Sequence, residues 1–295
     1  MTEIQHLFVR FVTERERIRE LRAAGHPAPW THDTLLRECR FCNVNREHDA
    51  VTIKVDQLVR RKAVELRWTL AETVAQIHFA RTFNEPAVLE DVGLLCARPG
   101  DTVKRLQAMV RNGRKVLRGA YLVIPHGTAH KGVSPHEYFP HVSHKLRKAI
   151  DRVDETEHLA EVADTMTQTD GIGEFMANQV VTDLRYIAGG HIRWKDWDTF
   201  VLAGPGTRRG LNRFMGAEGG LPSGRKFPKM AGDCAPLLLQ IRADLRGETT
   251  PTIDDHFQDP NNLSNCFCEF DKYCRGRQQL LTGQRLTLRR RNAVS

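Results

Sequence analysis

Apolar residues recur at helical spacing from the first turns of the chain. Ile4, Leu7, Phe8, Phe11, Val12, Ile18 and Leu21 form one stripe of a helix over residues 3–24, with charged residues between them. Gly25-His-Pro27-Ala-Pro29 ends that helix, and Thr31 or Asp33 caps the next, which holds Leu35, Leu36 and Phe41. The pattern predicts one or two helices from Asp56 to Phe83, and another from Glu85 to Cys96 that Arg98-Pro99-Gly100 ends. Asp101 then caps a helix running to about Asn112. Gly119 to Ile124 is the one strand candidate, short and β-branched. Pro125 to His144 reads as a solvated loop with five histidines (His126, His130, His136, His141, His144), in no spacing that suits zinc. Helices resume from Ser143 to Met166, and a glycine-rich stretch from Gly216 to Gly232 precedes the last helical block. The expected class is all-α. With no internal repeat, low-complexity segment or composition break, the chain reads as a single helical domain over 1–295.

Composition narrows the setting. A chain with 40% hydrophobic and 27% charged residues can bury a core and is not expected to be disordered. Its most apolar run, Ala120 to Pro125, is far short of a membrane span, and Met1-Thr-Glu-Ile-Gln-His lacks the pattern of a signal peptide. A cytoplasm-like compartment is expected, with the seven cysteines as thiols. Lys and Arg number 44 against 36 Asp and Glu, a net +8 that favours a polyanionic partner, nucleic acid first. A basic tail over about 276–295, ending in Arg289-Arg290-Arg291, either tracks a phosphate backbone or frays.

The strongest local motif is Thr169-Asp170-Gly171-Ile172-Gly173, a turn between two helices over about 160–185, with Ala177 and Val180 in phase to face the first helix. It resembles the hairpin of helix-hairpin-helix DNA-binding proteins. Gly171, Ile172 and Gly173 are the expected DNA contacts, because glycines admit a phosphate to backbone N–H groups at a helix start. Asp198 follows Gly173 by twenty-five residues. Resemblance to helix-hairpin-helix DNA glycosylases, which carry an essential Asp at a comparable distance near a helix start, nominates Asp198 for catalysis and Asp196 as second choice. Helix N-capping is the alternative role. Cys266-x-Cys268-x₅-Cys274 and Cys39-x₂-Cys42 match no iron–sulfur or zinc spacing, so no metal is expected. Gly219 to Phe227 has the Gly-x₄-Gly spacing of a phosphate loop but not Lys followed by Ser or Thr, so no nucleotide cofactor is expected either.

Several motifs read together carry a wider resemblance. They are Trp30-Thr-His-Asp33; Arg40 to Asp49, with Asn43 and Arg46; Arg81-Thr-Phe83-Asn84; Gly171 to Gly173 with Gln179 and Asp183; Gly204-Pro-Gly206-Thr-Arg208-Arg209-Gly210-Leu211; and Cys268-Glu269-Phe270-Asp-Lys272-Tyr273-Cys-Arg275. From about Trp30 to Arg275 the series resembles the alpha-glutamyl/putrescinyl thymine pyrophosphorylase family of phages. Its relatives include the helical domain fused to 5-hydroxymethyluracil DNA kinases and the amino acid:DNA transferases. The resemblance implies a helical, glycosylase-like fold. It also implies the second step of thymine hypermodification in double-stranded DNA: displacement of phosphate from 5-phosphomethyl-deoxyuridine by an amino acid (glycine being singled out) or a polyamine. On that reading the base leaves the stack. Trp30, Trp194 or Tyr273 stacks on it, and Arg40, Arg46, Arg208 and Arg209 stabilise the leaving phosphate. Asp198 or Glu269 accepts the amine proton, or Cys268 attacks the base if its thiol is activated. Asp33, Asn43, Asp49 and Lys272 complete the substrate-binding set, although Asn43 and Asp49 serve equally as caps and turn residues. A DNA glycosylase and a non-catalytic DNA-binding module are the rival functions.

Overall fold

The computed structural model describes residues 1–92, 99–116, 135–187, 193–216 and 232–288. Regular structure among them is helical, and it gathers into two compact units. The first unit joins the two ends of the chain, Met1–Arg46 and Asp198–Ser295; the second is Glu47–Trp197. The predicted strand, His126, His130 and the run 217–231 lie outside the described residues.

The first unit contains α1 (Glu3–Ala23), α2 (Thr34–Glu38), α10 (Pro205–Phe214), α11 (Ala235–Leu245), α12 (Pro251–His256) and α13 (Pro260–Leu281). A capping box between Thr2 and Gln5 starts α1, and Asp33 caps α2 by accepting from the Leu36 N–H at 2.9 Å. Asp259 and Pro260 open α13, the axis of this unit. One face of α13 carries Phe267, Phe270 and Tyr273 at three-residue spacing. Phe8 of α1 stacks on Phe267 at 4.5 Å between centroids, and Phe11 lies 4.7 Å from Tyr273.

A second face of α13 receives α10 at unusually close range. A Cβ at Gly210 would collide with the carbonyl of Phe267, and one at Gly206 with the Cys268 sulfur, so only glycine permits this approach. Thr207 Oγ1 donates to the Ser264 carbonyl at 2.9 Å. Beyond it, fully buried Asp271 accepts from Arg209 Nε and Arg213 Nε, each at 2.9 Å, with Arg275 Nε at 3.4 Å. The described part of the basic tail is pinned rather than frayed. Gln279 and Thr287 exchange two hydrogen bonds, and buried Leu288 covers Gly276.

The second unit contains α3 (Ala50–Leu66), α4 (Leu70–Phe83), α5 (Pro86–Val92), α6 (Pro99–Arg111), α7 (Pro135–Ile150), α8 (Leu159–Gln168) and α9 (Glu174–Ile187). Every residue of α4 except Glu72 is buried, Gln76, His78 and Arg81 among them. Arg81 at its end forms a bidentate pair with Asp183 of α9, through Nε at 2.6 Å and through an Nη that also reaches Thr52 Oγ1 at 2.9 Å. Two motifs separated by about a hundred residues of sequence thus meet inside the unit.

Two boundaries differ from the sequence expectation. Pro99 and Gly100 begin α6 instead of ending the preceding helix, and Asp101 sits in its first turn, where its charge favours the helix start. The expected loop at 125–144 is helical from Pro135 onward, again with proline at the opening position. The helices expected over 143–166 are two, one ending at Ile150 and α8 beginning at Leu159.

Two expectations follow for stability. Asp271→Ala leaves buried guanidinium groups uncompensated and should cost about 3–5 kcal/mol in chemical denaturation. Burial also holds His78 neutral, with its pKa lowered to about 4 from 6.5. Below pH ~6.5 the unfolded chain takes up a proton that the folded chain refuses, so stability falls as the pH drops toward 4, by up to about 3 kcal/mol from this group. Urea midpoints at pH 7 and pH 5 should therefore converge in His78→Gln.

Candidate functional site

After α2 the chain turns extended at Cys39 and runs to Asn45 across a third face of α13. The side chains that hold it recur at helical spacing along α13. Asn262 Oδ1 accepts from the Arg46 N–H at 2.9 Å, and Asn265 Oδ1 from the Arg46 guanidinium at 3.2 Å. Glu269 Oε2 accepts from the Cys42 N–H at 3.2 Å and from Lys272 Nζ at 3.1 Å, while Lys272 also donates to the Arg40 carbonyl. From the other side Arg15 of α1 donates to the Cys42 carbonyl through Nε at 3.1 Å. The strap is therefore clamped between two helices by charge-assisted bonds, which are stronger than neutral ones.

Beside the strap, Tyr273 donates its hydroxyl to Asp33 Oδ2 at 2.5 Å. Burial raises the tyrosine pKa above its ordinary value, and the hydrogen bond to the Asp33 carboxylate raises it further. The hydroxyl stays protonated and the pair is a positioning contact. A depression of about 390 Å³ opens over it, lined by Leu7, Phe11, Leu36, Arg10, Glu14 and the Asp33–Tyr273 pair among others. That volume suits a small planar or aliphatic group on an aromatic floor.

The structure brings Asp33, Arg40, Asn43, Arg46, Cys268, Glu269, Lys272 and Tyr273 to α13 or to the strap upon it. Their engagement differs. Arg209 is bound to Asp271, and Arg208 donates to the Ala203 carbonyl at 2.9 Å and to Cys234 Sγ at 3.3 Å. The Arg40 guanidinium makes no ion pair among the described residues, which leaves it the nominated arginine best able to receive an anion. Burial pushes the Cys268 thiol up to about 12, with Glu269 and Asp271 adding to the shift, so it is protonated at neutral pH. Its sulfur packs against Gly206. Trp30 is half-buried and donates Nε1 to the His26 carbonyl at 2.6 Å.

Asp198 and Asp196 part company. Asp198 is exposed in a turn and not at a helix start, the next helix beginning at Pro205; its carbonyl accepts from Arg242 at 2.8 Å. Asp196 does act as a cap, but for a different helix from the one expected. Its two carboxylate oxygens accept from the Leu159 and Ala160 N–H groups, at 2.8 and 2.9 Å, at the start of α8. Trp194, a nominated stacking residue, is buried and donates to the Leu184 carbonyl at 3.4 Å. Asp49 stands at the start of α3 without a side-chain capping bond.

The second unit forms the turn predicted between α8 and α9. Gly171 has φ of +93°, a conformation that favours glycine, and Ile172 N–H donates to the Thr169 carbonyl at 3.0 Å. Ala177 and Val180 are buried, as their phase requires. The Ile172 side chain is buried too, so between Gly171 and Gly173 only the backbone is left to face outward, next to the exposed Asp170. The charge around it is unfavourable for phosphate, because residues 151–174 hold eight carboxylates and one arginine. Lys145 offsets Asp170 alone, at 2.7 Å.

Arg15, Glu16, Asn262, Asn265 and His256 are structurally important and were missed in the sequence. Arg15 had a signal, since it falls in phase with Phe8, Phe11 and Val12 on the buried stripe of α1.

A match to the family described as 5-hmdU DNA kinase, helical domain, covers residues 2–283. No curated protein and no solved structure matches the chain.

The two aspartates give a direct comparison. Asp196→Ala should destabilise the protein by about 1 kcal/mol through loss of a helix cap, whereas Asp198→Ala should leave the thermal midpoint unchanged.

Proposed function

This chain belongs to the family of the 5-hmdU DNA kinase helical domain, and on that premise we propose that it acts on 5-hydroxymethyluracil-derived bases in DNA as an amino acid:DNA transferase. The observation that carries the reading is the convergence on α13 of residues from motifs scattered between Asp33 and Tyr273 (Asp33, Arg40, Cys42, Glu269, Lys272 and Tyr273). In the proposed step an amine nitrogen bonds to the methylene carbon of 5-phosphomethyl-deoxyuridine as the carbon–oxygen bond to phosphate breaks. The phosphate leaves with the bonding electrons, and Arg40 and Lys272 offset its charge. Glu269 takes the amine proton. This assignment prefers Glu269 to Asp198, because Glu269 lies among the converged residues and Asp198 in an exposed turn. Cys268 remains a thiol and takes no part.

DNA is proposed to lie along the first unit. That unit holds 23 Lys and Arg against 16 Asp and Glu, while the second holds 21 against 20. Arg40, Arg277 and Arg285 are the expected phosphate contacts, and the turn at Gly171–Gly173 contributes backbone donors only. A second reading, a DNA-binding module without chemistry, is favoured by the engagement of Arg208, Arg209 and Asp196 in structural bonds.

Mass spectrometry of nucleosides from phosphorylated 5-hydroxymethyluracil DNA incubated with protein and amino acids separates these readings. A new N-linked thymidine is expected; an abasic site would mean a glycosylase, and unchanged nucleosides a binding module. Glu269→Gln should lower product formation by ~10²–10⁴ at near-normal stability, and Asp198→Asn should not. Binding should show little sequence preference and weaken steeply with salt. Neutralising Arg40, Arg277 and Arg285 together should flatten the log–log salt slope by about 2–3, whereas Gly173→Ala should leave the slope unchanged.

A further inference from the structure

Away from the strap, the contact between α10 and α13 collects more positive charge than it balances. Three guanidinium groups reach the single carboxylate of Asp271. Arg213 Nε donates to Oδ1, and its side chain is only 1% exposed. Arg209 Nε and Arg275 Nε share the other oxygen, Oδ2, at 2.9 and 3.4 Å. Their side chains are 14% and 20% exposed, so this second pair meets at one atom and still reaches solvent. No other carboxylate forms an ion pair with either of them among the described residues.

The way the two arginines are held decides what they can still do. Asp271 faces Nε in both, and the Nη nitrogens of Arg209 and Arg275 make no hydrogen bond among the described residues. Each guanidinium therefore has its inner edge anchored and its outer N–H groups unspent, a donor fork already oriented. Two like charges brought to one oxygen repel each other, and a carboxylate shared with Arg213 leaves the trio two charges in excess. Helix packing enforces the juxtaposition, since Gly206 and Gly210 let α10 lie directly against α13. An anion between the outer edges would offset that repulsion and accept the unspent N–H groups.

We propose that Arg209 and Arg275 bind one phosphate group through their Nη nitrogens, with Asp271 as the positioning residue that aims them. Phosphate fits this pair better than a carboxylate does. It carries enough oxygens to serve both forks and enough charge to answer the excess. It takes nitrogens that Asp271 does not use, so binding leaves the helix contact intact and involves no bond-making step. Arg277 follows Arg275 by two residues, which places the site on the same cationic end of α13. A DNA backbone diester and a free phosphate ion offer this chemistry alike. The site is separate from the strap and does not depend on the transferase reading.

Calorimetric titration of the full-length protein with inorganic phosphate, at constant ionic strength against chloride, tests this. Saturable binding is expected, with a dissociation constant of about 1 mM or tighter. Arg275→Gln should weaken it at least ~10-fold at unchanged far-UV circular dichroism, through loss of charge-assisted hydrogen bonds. Arg209→Lys keeps a cation beside Asp271 but loses the fork, and should weaken binding too; it keeps the test decisive if Arg275→Gln fails to fold. DNA titrations separate the two sources. For a backbone phosphate, inorganic phosphate competes with DNA and Arg275→Gln flattens the log–log salt slope by about 1. For a free phosphate, binding is equal with and without DNA and the slope is unchanged. No saturable phosphate binding, or equal binding by wild type and both variants, would overturn the proposal.

Discussion

The first unit depends on placing a bare carboxylate where no water reaches. Asp271 is fully buried in the middle of α13 and is balanced by Arg209 and Arg213 from α10 and by Arg275 one turn along its own helix. Buried ion pairs are weak sources of net stability but strong sources of specificity, since any other register of α10 on α13 would strand the charge. The pair can form only because Gly206 and Gly210 let the helix backbones touch. Leucine at either position would push α10 away and pull the guanidinium groups off Asp271. Close packing and charge balance are thus one constraint, and it fixes the rotation of α13. Once that rotation is set, the strap face and the aromatic face have no freedom left.

The second unit solves a similar problem with a similar device. Its central helix α4 is buried on nearly all sides, and apolar burial alone would let such a helix slide and rotate among its neighbours at little cost in buried area. The bidentate pair of Arg81 and Asp183, with Thr52 taking a further guanidinium N–H, removes that freedom. In both units the motif residues that carry the family resemblance include those that lock helix register. Residues already spent on locking register (Arg81, Asp183, Arg209, Asp271) are poor choices for chemistry, because substrate would have to compete with their buried partners. Arg40, whose guanidinium makes no ion pair among the described residues, is a better one, while Glu269 would have to act from beneath the strap, where Cys42 and Lys272 already engage its Oε2.

Much of the helical framework was legible because its signals are local. The α1 stripe, the Asp33 cap and the turn at Gly171 each rest on residues within one or two helical turns. Proline signals were ambiguous for a physical reason: a proline can follow the end of one helix or open the next, and Pro99 and Pro135 do the second. Tertiary partners were not legible at all. Nothing near Arg81 points to Asp183, and nothing near Asp196 shows that it caps α8, because those pairings exist only once distant segments have folded together. The strap is the clearest case. Cys42 is held through its backbone, by Glu269 and Arg15, and backbone contacts leave no trace in the identity of the residue held.

Charge placement bears most directly on how DNA would be engaged. A glycine turn at a helix start invites a phosphate through its N–H groups, but that attraction acts within a turn or so, while surrounding charges act across a Debye length of about 8–10 Å. Eight carboxylates over residues 151–174 therefore set the potential at the Gly171–Gly173 turn more than its dipole does. Asp196, itself an anion, already occupies the start of α8. The first unit presents the opposite field: α13 ends near Arg275 and Arg277, Lys272 and Arg40 lie one to two turns earlier, and the pinned segment after α13 carries Arg285. Phosphate contacts spread along α13 would hold DNA beside the strap and its aromatic depression. Base recognition and backbone binding would then fall on one helix, whose orientation is set by Asp271.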